Sequence, residues 1–265
     1  MSMEIPTIEK DVVGQEVKDA QLEAVAELEI SIKKIIEKIR PRIESGEYGL
    51  VIGDDASGRI PALILGNFIK KVSEAKGLSG PNLVFIPGKL EMEKEESRWK
   101  KIFGFTGIAK QKQHEELDEY ISEQGATKEK RILIITDTLQ TGLSLKTLVN
   151  LLKRAGYNCD IATIGIEPLM IGRGVQKNLS GTDIFSGEYG QKDRGFHQNT
   201  PLIYDQKEFS GVYKKPGDSV SKTRKSLIFE RGKKEMQDSV NQAREDAGVV
   251  TEHLIKWYES LENEK

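Results

Sequence analysis

Apolar residues in the first forty positions recur at helical spacing. Val25, Leu28, Ile32, Ile35 and Ile39 fall three, four, three and four residues apart, on one helix face. Lys33, Lys34, Glu37 and Lys38 fill the other positions. This predicts one long helix to about Arg40, stopped at Pro41 because proline disfavours a helical residue before it. Packing on a core is the plain expectation for it. The run is too short for a sustained coiled coil, and a homodimer through this helix is the sharper alternative. Tyr48 to Ile52 then reads as a strand, and Ile60 to Ile69 as a helix with Pro61 in its first turn. Asn82 to Ile86 is a second short apolar run, closed by Pro87 and Gly88. Residues 89–130 are charged throughout, with a helical stretch near Glu115 to Glu123. Arg131 to Ile135 is the strongest strand signal, followed by a polar turn from Thr136 to Gly142. Ser144 to Ala155 is amphipathic, with Leu145, Leu148, Val149 and Leu152 on one face and Gly156 as its stop. Cys159 to Ile166 is a further strand.

Apolar strands alternating with helices predict an α/β fold, a mostly parallel sheet covered on both faces, with right-handed crossovers. The pattern weakens after Pro168, and 171–226 reads as small strands or a lobe of loops. A last helix is expected over about Lys234 to Glu262, anchored by Val249, Leu254, Trp257 and Leu261. The expected organisation is an N-terminal helical segment over 1–46, an α/β core over 47–170, a variable lobe over 171–232 and a C-terminal helix over 233–265.

At 265 residues the chain is long enough to bury a large core. Forty basic residues against forty-two acidic ones leave a net charge of -2, so no global attraction to nucleic acid or anionic lipid is expected. A local phosphate site needs only a few backbone amides and one or two cations, and is compatible with that balance. The single cysteine, Cys159, excludes an intrachain disulfide and a cysteine-based zinc site, and fits a reducing compartment. His114, His197 and His253 show no metal-ligand spacing. The N-terminus has no apolar core of a secretory signal, and no apolar run approaches the roughly twenty residues of a membrane helix. A cytoplasmic protein is expected.

Candidate chemistry lies at two strand–turn–helix junctions, because ligands of open parallel sheets sit beyond the carboxyl ends of the strands. The first is Ile132 to Ser144, ILIITDTLQTGLS. Successive N–H groups at a helix start make an anion site, and Gly142 allows close approach of backbone to a phosphate. The hydroxyls of Thr141 and Ser144 add donors. A carboxylate beside a phosphate cradle repels it, so Asp137 is better suited to sugar hydroxyls or a cation. The bland alternative is a loop with Ser/Thr helix caps. The second junction is Ile52 to Ala62, IGDDASGRIPA, for which the bland alternative is a turn with Asp54 or Asp55 as a cap.

The complete order in the first junction resembles the phosphoribosyl-pyrophosphate motif of the type I phosphoribosyltransferases: four apolar residues, two acidic ones, a short linker, then T-G-x-T/S. The resemblance covers about 47–170. It implies that Thr141, Gly142 and Ser144 hold the ribose 5′-phosphate, that Asp137 matches the second acid, and that Thr136, Thr138 and Gln140 also line the substrate. Two positions depart from the family: Thr136 stands where an acid is usual, and Gln140 where members often have Thr, Ala or Asp. By the same resemblance, 52–62 is the pyrophosphate loop, with Ala56, Ser57 and Gly58 as backbone donors and Arg59 neutralising charge. Lys89 falls where related enzymes place a lysine near pyrophosphate. Asp137, Lys89 and Arg59 are thus the expected catalytic residues. Mg²⁺ is the implied cofactor, with Asp137 and Asp55 (or Asp54 through water) as its ligands. The charged insertion occupies the position of a mobile loop, with Arg98, Lys100 and Lys101 as closing contacts or simply a solvated face. A hood over 171–226 is expected to recognise the acceptor, with Phe185, Tyr189, Phe196 and Tyr204 able to stack on a base. The implied reaction is phosphoribosyl transfer from phosphoribosyl pyrophosphate to a nucleobase or related acceptor. The alternatives are a regulatory protein that binds the same ligand without transfer, and an unrelated α/β nucleotide-binding domain.

Overall fold

The computed structural model describes residues 19–54, 58–86, 108–166, 174–189 and 234–263. Its strands are β1 (Tyr48–Asp54), β2 (Asn82–Ile86), β3 (Arg131–Leu139), β4 (Asn158–Ile166) and β5 (Asp183–Tyr189). They form one all-parallel sheet in the order β2-β1-β3-β4-β5. The helices are α1 (Glu23–Ala26), α2 (Leu28–Glu44), α3 (Arg59–Ala75), α4 (Ile108–Glu123), α5 (Leu143–Arg154), the short α6 (Gln176–Asn178) and α7 (Lys234–Asn263).

Side chains of a strand alternate between faces, and a sheet covered on both sides needs apolar residues on each. Leu50, Ile52, Ile132, Ile134 and Ile161 pack with α4 and α5 on one face. Val51, Leu133, Ile135, Ala162 and Ile164 pack with α2, α3 and α7 on the other. Right-handed crossovers explain the split. The chain moves one way from β1 through α3 to β2, and the other way from β2 through β3 and β4 to β5. The α/β class with a helix-flanked parallel sheet and added terminal helices is therefore as the hydrophobic pattern indicates. Among the described residues no helix is long and apolar enough to cross a membrane.

Several element boundaries differ from expectation. Helix α2 runs through Pro41 to Glu44. Proline lacks the N–H that would bond the Glu37 carbonyl, but its own carbonyl still closes the last turn, accepting from the Ser45 N–H and hydroxyl at 3.0 and 2.9 Å. Ile43, beyond the proline, is buried and holds the last turn on the core. The face carrying Val25, Leu28, Ile32, Ile35 and Ile39 is fully buried within this one chain. Strand β3 continues to Leu139, so Thr136, Asp137 and Thr138 belong to a strand end, not a turn. The sheet also runs past residue 170. Strand β5 lies inside the segment that reads as small strands or a lobe of loops, and Phe185, one candidate for stacking on a base, packs locally against the core under the Arg42 guanidinium at 5.2 Å. Phe196 and Tyr204 lie outside the described residues. In α7 the buried apolar positions are Val240, Ala243, Ala247, Val250, Leu254 and Tyr258. Val249, Trp257 and Leu261, taken as anchors, are only half-buried.

The amino ends of the strands are closed by an ionic network. Asp160 is fully buried and accepts from Arg42 Nη1 at 2.5 Å, from Arg131 Nη2 at 2.6 Å and from the Tyr48 hydroxyl at 3.0 Å. Arg42 Nη2 also donates to Asp183 at 2.6 Å. Three guanidinium and hydroxyl partners satisfy the buried carboxylate, which would otherwise be very costly to desolvate. This end of the sheet is committed to stability. The opposite, carboxyl end is left for chemistry.

Candidate functional site

In the order β2-β1-β3-β4-β5, the chain leaves β1 and β3 toward opposite faces, and a crevice opens between their carboxyl ends. Both junctions singled out in the sequence end there. The ladder between the two strands stops at Gly53 opposite Ile135. Strand β3 then continues for four residues paired only with β4. Among the described residues, its β1-facing edge has no ladder partner over Thr136 to Leu139.

The two junctions touch. The Thr136 hydroxyl donates to Asp54 Oδ2 at 3.2 Å, and both residues are buried. Gly58 lies over the end of β3: a Cβ there would stand 2.2 Å from the Ile135 carbonyl oxygen and 2.8 Å from that of Asp54. Only glycine permits that approach. The Gly58 N–H donates to the Asp54 carbonyl at 2.6 Å, so it is spent on closing the turn and is not offered to a ligand as expected. Arg59 begins α3, and its guanidinium stacks on the Phe85 ring at 4.4 Å. Phe85 in turn lies on Gly53, where a Cβ would come within 2.6 Å of the ring. A cation is thus held at the start of α3 by an aromatic plate from β2.

Asp137 is 5% exposed, and its Oδ1 accepts from the Thr138 N–H at 2.6 Å. Its carbonyl accepts from the buried Thr163 hydroxyl at 3.3 Å. The side chain is therefore oriented by Thr138 on its own strand, and Thr163 of β4 holds its backbone. Beyond it, Gln140, Thr141 and Ser144 are exposed, and Gly142 adopts φ +69°, ψ 8° as the cap residue of α5. The Thr141 hydroxyl accepts from the Leu143 N–H at 3.3 Å, which leaves its own proton for an outside acceptor. The Leu143 amide is thereby engaged, and the helix-start amides after it, behind a glycine in the left-handed region, are the donors suited to an oxyanion. Helix α5 starts at Leu143, one residue before the expected Ser144.

Asp137, Thr136, Thr138, Gln140, Thr141, Gly142 and Ser144 thus share one strand end and helix start, and Gly58 and Arg59 lie at the adjoining junction. Asp55, Ala56, Ser57, Lys89, Arg98, Lys100 and Lys101 lie outside the described residues. Sequence reasoning missed two supports of the site. One is Phe85, whose pairing with Arg59 has no local signal. The other is Asn178, which donates to the Thr141 carbonyl at 2.9 Å from a segment expected to recognise the acceptor.

Among the described residues no group of three or more His, Cys, Asp or Glu is placed to hold a metal. A magnesium ion shared with a substrate needs fewer protein ligands, because it commonly takes one or two carboxylates, several waters and substrate phosphate oxygens. Asp54 and Asp137 are carboxylates at the crevice end of the sheet, and their hard oxygen donors fit such an ion.

No family model and no curated protein matches the chain. Among solved structures, one that is similar is a crystal structure of a hypothetical protein from Neisseria gonorrhoeae with bound ppGpp. The two are 15% identical, the match covers 62% of this chain and 80% of that one, and the TM-score is 0.38, too slight a likeness to carry an argument.

Proposed function

We propose that this chain binds phosphoribosyl pyrophosphate with Mg²⁺ in the crevice between β1 and β3, and transfers the phosphoribosyl group to a nucleobase or related acceptor. The observation that carries this reading is the meeting of the two junctions across that crevice, through Thr136 and Asp54 and through Gly58 and Ile135. Either junction alone is an ordinary turn. Together they bring an oxyanion cradle after Gly142 and a buried acid at Asp137 to one strand end, with the Arg59 cation at the adjoining junction.

In this reaction the bond from the sugar's reactive carbon to pyrophosphate breaks, and the electron pair leaves with pyrophosphate. An acceptor nitrogen supplies the pair for the new bond, and its proton passes to the departing pyrophosphate or to water. Positive charge grows on the ribose and negative charge on the leaving group. The chain need supply no nucleophile; it must hold both ends of the donor and stabilise the separating charges. The α5 amides, with the Thr141 and Ser144 hydroxyls, bind the 5′-phosphate. Asp137 accepts hydrogen bonds from ribose hydroxyls, and its negative charge favours the cationic sugar. Arg59 neutralises pyrophosphate, and Asp55, Ala56, Ser57 and Lys89 are the further contacts that the family resemblance implies. Gln140 is an amide and takes no proton from the acceptor. Asp54, Asp55 and Asp137 would hold a Mg²⁺ ion, which would supply Lewis-acid stabilisation of the departing charge. On this reading the protein works in the cytoplasm, where its one thiol stays reduced.

A second reading is favoured by one observation. The Thr136 hydroxyl, at the position of the family's first acid, already donates to Asp54 within the protein. A site that keeps donor binding but lacks one ribose contact is that of a regulatory binder. Incubation with phosphoribosyl pyrophosphate, Mg²⁺ and a panel of bases separates the two. Pyrophosphate release that requires a base is the result expected for the enzyme. Tight binding without release assigns the regulatory role, and no binding contradicts both.

A further inference from the structure

The loop between β3 and α5 is held from outside its own motif. Asn178, the last residue of α6, donates from Nδ2 to the Thr141 carbonyl at 2.9 Å and accepts at Oδ1 from Lys146 Nζ at 3.1 Å. One side-chain amide therefore ties both limbs of the turn: the peptide entering Gly142, and the lysine in the first turn of α5. The next residue, Leu179, is buried directly beneath Gly142, where a Cβ would come within 2.6 Å of its Cδ1. The backbone at Gly174 closes the other side, with an ideal Cβ only 3.3 Å from Thr141 Cα.

A trans peptide is planar, and its N–H points opposite to its C=O. Fixing the Thr141 carbonyl on Asn178 therefore fixes the direction of the Gly142 N–H, which points away from Asn178. Gly142 is conformationally permissive, so its own residue type does not set this plane. The Asn amide offers a donor for the carbonyl and an acceptor for the ammonium on two separate atoms of one planar group. A carboxylate keeps Lys146 and loses Thr141.

We propose that Asn178 is the positioning residue of the anion loop: it sets the Gly142 peptide plane and holds the Lys146 ammonium at the start of α5, so affinity for the sugar phosphate depends on it. This rests on the phosphoribosyl reading of the crevice. The segment after β4 thus serves the phosphate end of the donor.

The test compares wild type, Asn178→Ala and Asn178→Asp by calorimetry with phosphoribosyl pyrophosphate and Mg²⁺, by thermal melting, and by hydrogen exchange without ligand. Both variants are expected to weaken binding by about tenfold, the usual scale for one lost hydrogen bond to an oriented group. Exchange is expected to speed at residues 141–145 and to stay unchanged at 59–63, with an unchanged melting temperature. Asn178→Gln, which keeps both functions of the amide, is expected to restore part of the affinity. Wild-type affinity in Asn178→Ala, with binding intact in the wild type, overturns the positioning role alone. Exchange that speeds everywhere, with a lowered melting temperature, makes Asn178 a general structural residue and also overturns it. A wild type that takes no phosphoribosyl pyrophosphate overturns the functional reading beneath it.

Discussion

At the scale of single residues, the account depends on a few atoms whose alternatives are sterically or chemically closed. Asp137 is buried near the end of β3 with its carboxylate already oriented by the Thr138 N–H. Asp137→Asn preserves shape and removes the charge, and is expected to weaken donor binding or turnover by tenfold or more, about 1.4 kcal/mol. Calorimetry and steady-state kinetics check this; an unchanged variant removes Asp137 from the site. Gly142 has φ +69°, a conformation in which a Cβ costs about 1–2 kcal/mol, and the Cβ would also strike Leu179. Gly142→Ala is therefore expected to lower the thermal midpoint by several degrees, roughly 2–4 °C per kcal/mol, and to lose the anion. The Thr141-Gly142-Leu143-Ser144 turn and Asp137 were legible in the sequence because order along a strand–turn–helix is itself the signal. Phe85 and Asn178 were not. Each acts on a partner 26 or 37 positions away, Arg59 and Thr141, and nothing in either neighbourhood marks it.

At the scale of elements, the strand ends divide the labour. The amino ends hold Asp160 between Arg42, Arg131 and Tyr48, and tie α2 to the sheet. Removing one partner of a buried ionic group leaves the others uncompensated. Asp160→Leu is expected to cost about 3 kcal/mol, read as a fall in the denaturant midpoint, with phosphate binding by the surviving fold unchanged. Asp183 sits at the edge of the same network. Its hydrogen bond from Arg42 holds its carboxyl below the usual aspartate range against a smaller opposing effect of burial. A depressed carboxylate stabilises the fold above its unfolded pKa and loses that contribution as pH falls through the folded one. The Arg42–Asp183 contribution should therefore be full at neutral pH, begin to fall near about pH 4 and be gone once pH drops below the depressed folded value. Carboxyl NMR titration is expected to show the Asp183 resonance moving to higher pH in Arg42→Gln. No movement contradicts the assignment. Strand β5 shows why some elements stayed hidden. It places Ser186 and Gly187 where α2 crosses, and a Cβ on Gly187 would meet the Ser31 carbonyl at 2.5 Å. The close approach demands small residues, and small residues erase the apolar signature of a strand. Pro41 misled in the opposite sense, because local propensity marks a stop that Ser45 and the buried Ile43 override.

At the scale of the whole molecule, the terminal helices complete the sheet's cover. Helix α7 packs along α3, with Phe68 and Tyr258 in edge contact at 5.5 Å and Thr251 donating to the Ile64 carbonyl at 3.3 Å. Its Asp246 accepts from the Leu22 N–H at 2.7 Å at the start of α1. One end of the chain therefore caps the other. Truncation before Lys234 exposes the apolar back of α3 and removes that cap, and is expected to abolish cooperative unfolding; a truncated protein that melts sharply contradicts this. The parallel sheet was legible because strands covered on both faces are apolar throughout. The crevice was legible only in outline, since strand order is a long-range property that no local pattern fixes. The central claim is that the crevice between β1 and β3 takes an activated sugar phosphate, and isothermal calorimetry with phosphoribosyl pyrophosphate in magnesium buffer tests it most directly. The account predicts a saturable heat in wild type that falls at least tenfold in Asp137→Asn and is not reproduced by ATP. No heat in wild type, or an equal response to ATP, contradicts it.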